Sequence, residues 1–240
     1  MKSKYFSKSL LVSFLFAAIP FAPVSGTVSP VPAVTDQATR LANLQSRGAA
    51  EITRRVTNLG DAQTRLGASS KLTAADMTAL QGQLSAELTA LTALKTKLAA
   101  DTDLATARID VASIVTDYRV YALMLPKTRL IATADDCAVV DNKLNTLEVT
   151  LQAKTEAEKA AGKDISVLQA SLDDLKSKTL DAANKTSGIT AQLLAITPDQ
   201  YDASHEVLSP FHQTLLAAQI DLKTARDDAT SVVADLASIK

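Results

Sequence analysis

Three observations predict an all-α fold for this 240-residue chain: helix breakers are scarce between Pro32 and Pro198, Leu recurs at steps of three and four, and no stretch alternates strictly. Within that interval Pro126 is the one proline, and the whole chain carries 7 glycines. The abundant Thr fills polar slots between periodic Leu positions, so it reads as helix surface rather than strand. Short loops between long helices make chain neighbours antiparallel. The expected architecture is therefore an elongated up-down bundle of five to six long helices.

The elements follow in order. Lys2, Lys4 and Lys8 precede an apolar run from Leu10 to Ile19, then Pro20, Pro23, Ser25 and Gly26, the three-part layout of a secretory signal peptide. Cleavage is expected after Gly26. The run is shorter than the roughly 18 to 20 residues that span a bilayer, which favours a cleaved segment over an anchor. Residues 27–35 read as a flexible, Pro-containing lead, and residues 36–240 as a single helical-bundle domain.

A first helix is expected from about Asp36 to Leu66 through Leu41, Leu44, Ile52, Val56 and Leu59, closed by Gly67 with Ser69 and Ser70. Thr73, with Asp76 three residues on, should cap a second helix running to about Ala100 and carrying Leu80, Leu84, Leu88, Leu91, Leu94 and Leu98 on one face. Asp101-Thr102-Asp103 turns the chain and places negative charge at the start of a third helix, Leu104 to about Thr116. Asp117 to Pro126 breaks the pattern. It is apolar on nearly all sides and Leu125 is disfavoured in α geometry before Pro126, so a buried kink or crossover is expected.

A fourth helix should reach about Ala161 and end at Gly162, and a fifth should run unbroken from Asp164 to Ile196. Thr197-Pro198-Asp199 reads as cap, first-turn proline and first-turn acid. The last helix carries Leu208, Phe211, Leu215, Ala218, Leu222, Ala225, Ala229, Val232, Leu236 and Ile239 at steps of three and four, a coiled-coil type seam in which Ala allows close approach. Such a seam fits self-association or packing within the bundle.

The charge is near neutral, with 25 basic and 26 acidic residues. Loss of residues 1–26 would remove three Lys and no acid, leaving 22 basic against 26 acidic residues, which excludes a polybasic nucleic-acid binder. A disulfide scaffold is excluded by the single Cys137. Of the 5 Phe and 4 Tyr, only Tyr118, Tyr121, Tyr201 and Phe211 lie beyond residue 21, so an aromatic-lined pocket is not expected. The helix count brings these four to one end of the bundle, and a localised function is expected there.

No phosphate-cradling Gly loop, nucleophile elbow or His-Glu-x-x-His motif occurs in the sequence. Cys137 reads as a small buried hydrophobe. His205 and His212, seven apart, would share a face only if the helix survived Ser209-Pro210, and that spacing does not favour zinc. Asp135-Asp136, Asp173-Asp174 and Asp227-Asp228 read as solvated surface. Glu51, Arg54 and Arg55 also read as surface charges. Arg119 and Arg129, in or beside the apolar crossover, are expected to bond a carboxylate or free carbonyls and pin the bend. Tyr118, Arg119, Tyr121, Pro126, Arg129, Tyr201 and Phe211 are thus the candidate structural or interaction residues, with no catalytic, cofactor or metal residue assigned.

Several stretches carry a resemblance: Glu51-Ile52-Thr53-Arg54-Arg55, Leu91 to Leu98 with Asp101-Thr102-Asp103, Asp117-Tyr118-Arg119-Val120-Tyr121 with Pro126, Ala134-Asp135, and Val207-Leu208-Ser209-Pro210-Phe211. In this order they resemble a family of uncharacterised exported all-helical proteins of bacteria. The resemblance implies an exported bacterial protein and transfers no site residue. A departure is Asp136-Cys137 after Asp135, where a basic partner would be expected.

The expected function is an exported, non-catalytic bundle with a structural or protein-interaction role at the cell envelope or outside the cell, through an unknown protein partner or self-association. The alternative is a membrane-active, lipid-binding amphipathic bundle, disfavoured because the chain beyond residue 26 has one Phe, no Trp and no basic helix face. The third reading is an enzyme with a site near Tyr118, Arg119 and Tyr121. An open cleft at those side chains would favour it, and a closed core would not.

Overall fold

The computed structural model describes residues 33–70 and 72–239, so the expected signal segment lies outside the described residues. The described chain is all-helical, with no strand among its residues. Its helices are α1 (Ala33–Gly67), α2 (Ala74–Ala100), α3 (Leu104–Thr116), α4 (Leu125–Ala160), α5 (Ser166–Thr186), α6 (Ile189–Ala195), α7 (Pro198–Ala203) and α8 (Ser209–Ser238), with a π-turn at Val120–Met124 ahead of α4.

Local chemistry sets most of the ends. The Thr73 hydroxyl accepts from the Asp76 N–H at 3.1 Å and donates to its carboxylate at 2.9 Å. The Asp103 carboxylate accepts from the N–H groups of Ala105 and Thr106, both at 2.9 Å, satisfying two donors at the start of α3. Thr197 and Gln200 form a reciprocal capping box on α7. Gly162, at φ 81°, ends α4 in the left-handed conformation that glycine adopts at little cost.

Three expectations about breaks change, one being that the last helix, expected from Thr197, divides into α7, which stops at Ala203, and α8, which starts at Ser209. The helix expected from Asp164 to Ile196 is interrupted at Ser187-Gly188, where Gly188 at φ 72° turns the chain between α5 and α6. Conversely, Leu125 is helical (φ −68°, ψ −42°) despite Pro126. The break falls earlier, at Arg119, and the Leu125 N–H bonds Val120 across the wider π-turn. That turn relieves the carbonyl crowding a proline ring creates in an α-helix.

The buried side chains form two cores. In the first, α1, α2 and α3 pack together, and the π-turn, the start of α4, α6 and Leu215 of α8 complete it. Ile52, Leu59, Leu80, Leu84, Leu91 and Leu98 are fully buried there. In the second, α4, α5 and α8 pack as three helices around Leu144, Leu151, Leu172, Leu175 and the α8 seam. The α4 helix passes from one core to the other between Ala134 and Cys137, and α8 does so between Leu215 and Ala218. Ala218, Ala225 and Ala229 are buried against α5 and α4, so the seam is used within the chain.

Candidate functional site

The crossover begins with Arg119, at φ 43° the one described non-glycine residue with positive φ. A left-handed side chain costs roughly 1–2 kcal/mol and persists where surroundings fix it. Here the Arg119 carbonyl accepts from Leu123 N at 2.8 Å and Met124 N at 3.2 Å, which builds the π-turn. The guanidinium reaches α7, pairing with Asp202 at 2.6 Å and lying 5.8 Å from the centre of the Tyr201 ring. Tyr201 in turn sits 5.1 Å from the exposed His205 ring. The expected carboxylate partner of Arg119 is thus Asp202, across more than eighty residues of chain.

Tyr121 faces α1. Its hydroxyl accepts from Asn58 Nδ2 at 2.6 Å, and the guanidiniums of Arg54 and Arg55 each lie 5.0 Å from its ring centre. Glu51 binds both arginines, Arg54 through two bonds and Arg55 through a close one. Arg55 is 6% exposed, and burial pushes its pKa down, so its reading as a surface charge is corrected. The Tyr121 ring packs on the inward-facing part of the Glu51-to-Arg55 stretch, and a ring 66 residues beyond Arg55 leaves no local signal.

Tyr118, Tyr121, Tyr201 and Phe211 all pack, half-buried, against the first core. They do not converge on a common pocket. Tyr118 lines a shallow groove with Ala93 and Lys97 of α2 and Asp110 of α3, whereas Tyr121 borders a separate cavity with α1 and α4. Pro126 sits in the first turn of α4, and the exposed Arg129 one turn on lines the Tyr121 cavity. The discriminator for an enzyme reading, an open cleft shared by Tyr118, Arg119 and Tyr121, is therefore split between two surfaces and an ion pair.

Besides Arg55, three buried charges escaped the sequence reading: Asp110, which is 2% exposed and pairs with Lys97 at 2.6 Å, Lys127 and Asp135. Lys127 is 3% exposed, and its Nζ donates to the Ile196 carbonyl at 3.1 Å. Gln83 donates to the Leu194 carbonyl at 3.0 Å, so α2 and α4 together satisfy carbonyls freed at the end of α6. Burial lowers the Lys127 pKa against the pull of Glu87, whose own carboxyl is raised by burial. A lysine in a helix's first turn opposes the helix dipole, and that misplacement was the available signal.

Asp135 is the third. It is 5% exposed and accepts from the Thr73 N–H at 2.8 Å, docking α4 on the start of α2. Its partner is thus a helix N-terminus rather than a basic side chain. Burial and the neighbouring Asp76 and Asp136 push its pKa up to about 6 against the Thr73 bond. The Asp135-Asp136 reading as solvated surface is corrected for Asp135.

Cys137 is buried in the second core and burial raises its thiol, which keeps it protonated and unreactive. His205 precedes α8 and His212 lies within it, both exposed, and among the described residues no group of three or more His, Cys, Asp or Glu could hold a metal ion. No described helix is long and apolar enough to cross a membrane. Comparison with protein-family models, curated proteins and solved structures finds no match to the chain.

Proposed function

We propose that this is an exported, non-catalytic helical protein that binds a protein partner at the cell envelope or outside the cell. The observation that carries the reading is the use made of its chemically capable side chains. Arg119 is engaged by Asp202, Lys127 by Ile196 and Asp135 by Thr73, each joining different elements, while the thiol is buried. Such groups hold helices in place; they are not left facing a substrate. Support for a partner comes from apolar side chains standing out on α4 and α8, among them Val149 at 66%, Ile220 at 58% and Leu216 at 50% exposure. Export rests on the Lys-flanked apolar run and the small residues ending at Gly26.

The test is expression of the full chain with a C-terminal tag in a bacterial host, followed by cell fractionation, intact-mass measurement and crosslinking. The expected product lacks residues 1–26, fractionates outside the cytoplasm and crosslinks to another protein, with the crosslink lost in the L216E/I220E variant. A full-mass chain confined to the cytoplasm overturns export. A processed chain that forms no crosslink, or sediments with lipid vesicles in place of protein, overturns the interaction reading.

A further inference from the structure

A cavity of about 460 Å³ opens beside Tyr121, between the last turns of α1 and the first turns of α4. Small-molecule sites commonly enclose about 300–1,000 Å³. Its apolar lining is Ala62, Leu66, Leu72 and Leu125, and its charged lining is Arg65 and Arg129, with no carboxylate among the lining residues. Arg65 donates from Nε to the backbone carbonyl of Asp61 at 3.2 Å, which leaves its terminal nitrogens free to bond elsewhere. Behind the ring, Arg54 and Arg55 share the single carboxylate of Glu51. Two guanidiniums therefore lie against the Tyr121 ring and share the Glu51 carboxylate, and two more, Arg65 and Arg129, line the cavity that the ring borders. The Thr128 hydroxyl is already committed to the Met124 carbonyl at 2.9 Å. The Tyr121 hydroxyl is not: it accepts from Asn58, so its own proton remains to be donated.

We propose that this cavity binds a small amphiphilic oxyanion. The head, a carboxylate or a phosphate monoester, is held by Arg65, Arg129 and the Tyr121 hydroxyl, and the apolar body lies on Leu66, Leu72 and Leu125. Guanidinium forks match the paired oxygens of both head groups, and an apolar floor beneath a cationic rim selects ligands with both parts. The site is independent of export and of any protein partner, so its test stands apart from theirs.

Purified protein is titrated calorimetrically with decanoate, decyl phosphate, inorganic phosphate and decyltrimethylammonium, all below their micellar concentrations. One decanoate or decyl phosphate is expected per chain, bound about tenfold or more tightly than inorganic phosphate, with the tighter of the two naming the head group. Arg65→Gln and Arg129→Gln are each expected to weaken binding about tenfold, and Tyr121→Phe severalfold, at unchanged helical circular dichroism. The two arginines are exposed and lie on different helices, so a variant that misfolds leaves the other as the test. Absence of binding by both anionic amphiphiles at about 1 mM, equal binding of the cationic one, or undiminished affinity in the R65Q/R129Q double variant overturns the proposal.

Discussion

Asp135 has the largest consequence at the scale of a single residue. Its carboxyl, at about 6 in the folded chain, stands above the ordinary Asp value of 3.8. Between those two values the folded state binds a proton that the unfolded state has released, so stability rises as pH falls through that window. Above about pH 6 the carboxylate is ionised in both states and the fold bears its desolvation, a cost of up to about 3 kcal/mol. Asp135→Asn keeps an oxygen for the Thr73 N–H and removes the titration. Thermal melts of the wild-type chain are expected to rise from pH 7.5 to pH 4.5, and those of D135N to lose most of that slope and sit higher at neutral pH. A wild-type slope retained in D135N assigns the effect to other carboxyls. Arg55 teaches a related lesson, because its burial is imposed by Tyr121 from another helix and nothing in residues 51–55 announces it.

Among the helices, α1 lies close against α2 and α3 at Gly48. A Cβ there would stand 2.5 Å from Leu98 Cδ2 and 2.8 Å from Val111 Cγ2, so α2 and α3 close on α1 at a position only hydrogen occupies without displacing them. Overpacking costs about 1–3 kcal/mol and exceeds the roughly 1 kcal/mol that Ala gains over Gly in a helix. Gly48→Ala is therefore expected to lower stability in urea unfolding. Gly60→Ala, with nothing within 4 Å of the added Cβ, is expected to raise it by up to about 1 kcal/mol. Equal responses at the two sites remove the close-approach argument. The same helices show what was legible. Thr73 and Thr197 declared two helix starts because a cap is chemistry local to four residues, and Asp103, expected only as favourable charge ahead of α3, proves to cap it. The α8 seam was readable as a periodicity, but its partner was not, since an internal and an intermolecular seam have the same spacing. Gly188 escaped notice because a lone glycine is tolerated in helices and also ends them, and its left-handed φ exists only once α6 folds onto α2 and α4.

Over the whole molecule the two cores depend on each other through α4 and α8, which each contribute to both. Neither core is closed without a segment that also serves the other, so unfolding is expected to be a single cooperative event. A proline inside α4 just past the crossing point, Val139→Pro, removes the helical bond to the Asp135 carbonyl at the crossing and introduces a steric clash, costing about 3 kcal/mol. Scanning calorimetry is expected to show one transition for the native chain and two for V139P. One merely lowered transition in the variant would show that α8 alone couples the cores.

Short-range physics controls the helical class, most helix ends and the faces destined for burial, so these are legible in the residues alone. These depend on backbone propensity, capping and a period of 3.6 residues, all written within one or two turns. The tertiary structure alone decided the rest. It divided the apolar faces into two cores, drew Arg119 to Asp202, Tyr121 to Asn58 and Asp135 to Thr73, and left Arg65 and Arg129 beside one cavity. Each of those pairings joins residues more than fifty positions apart, and whether a charge is buried, bonded or left facing space is fixed by the helix packed against it.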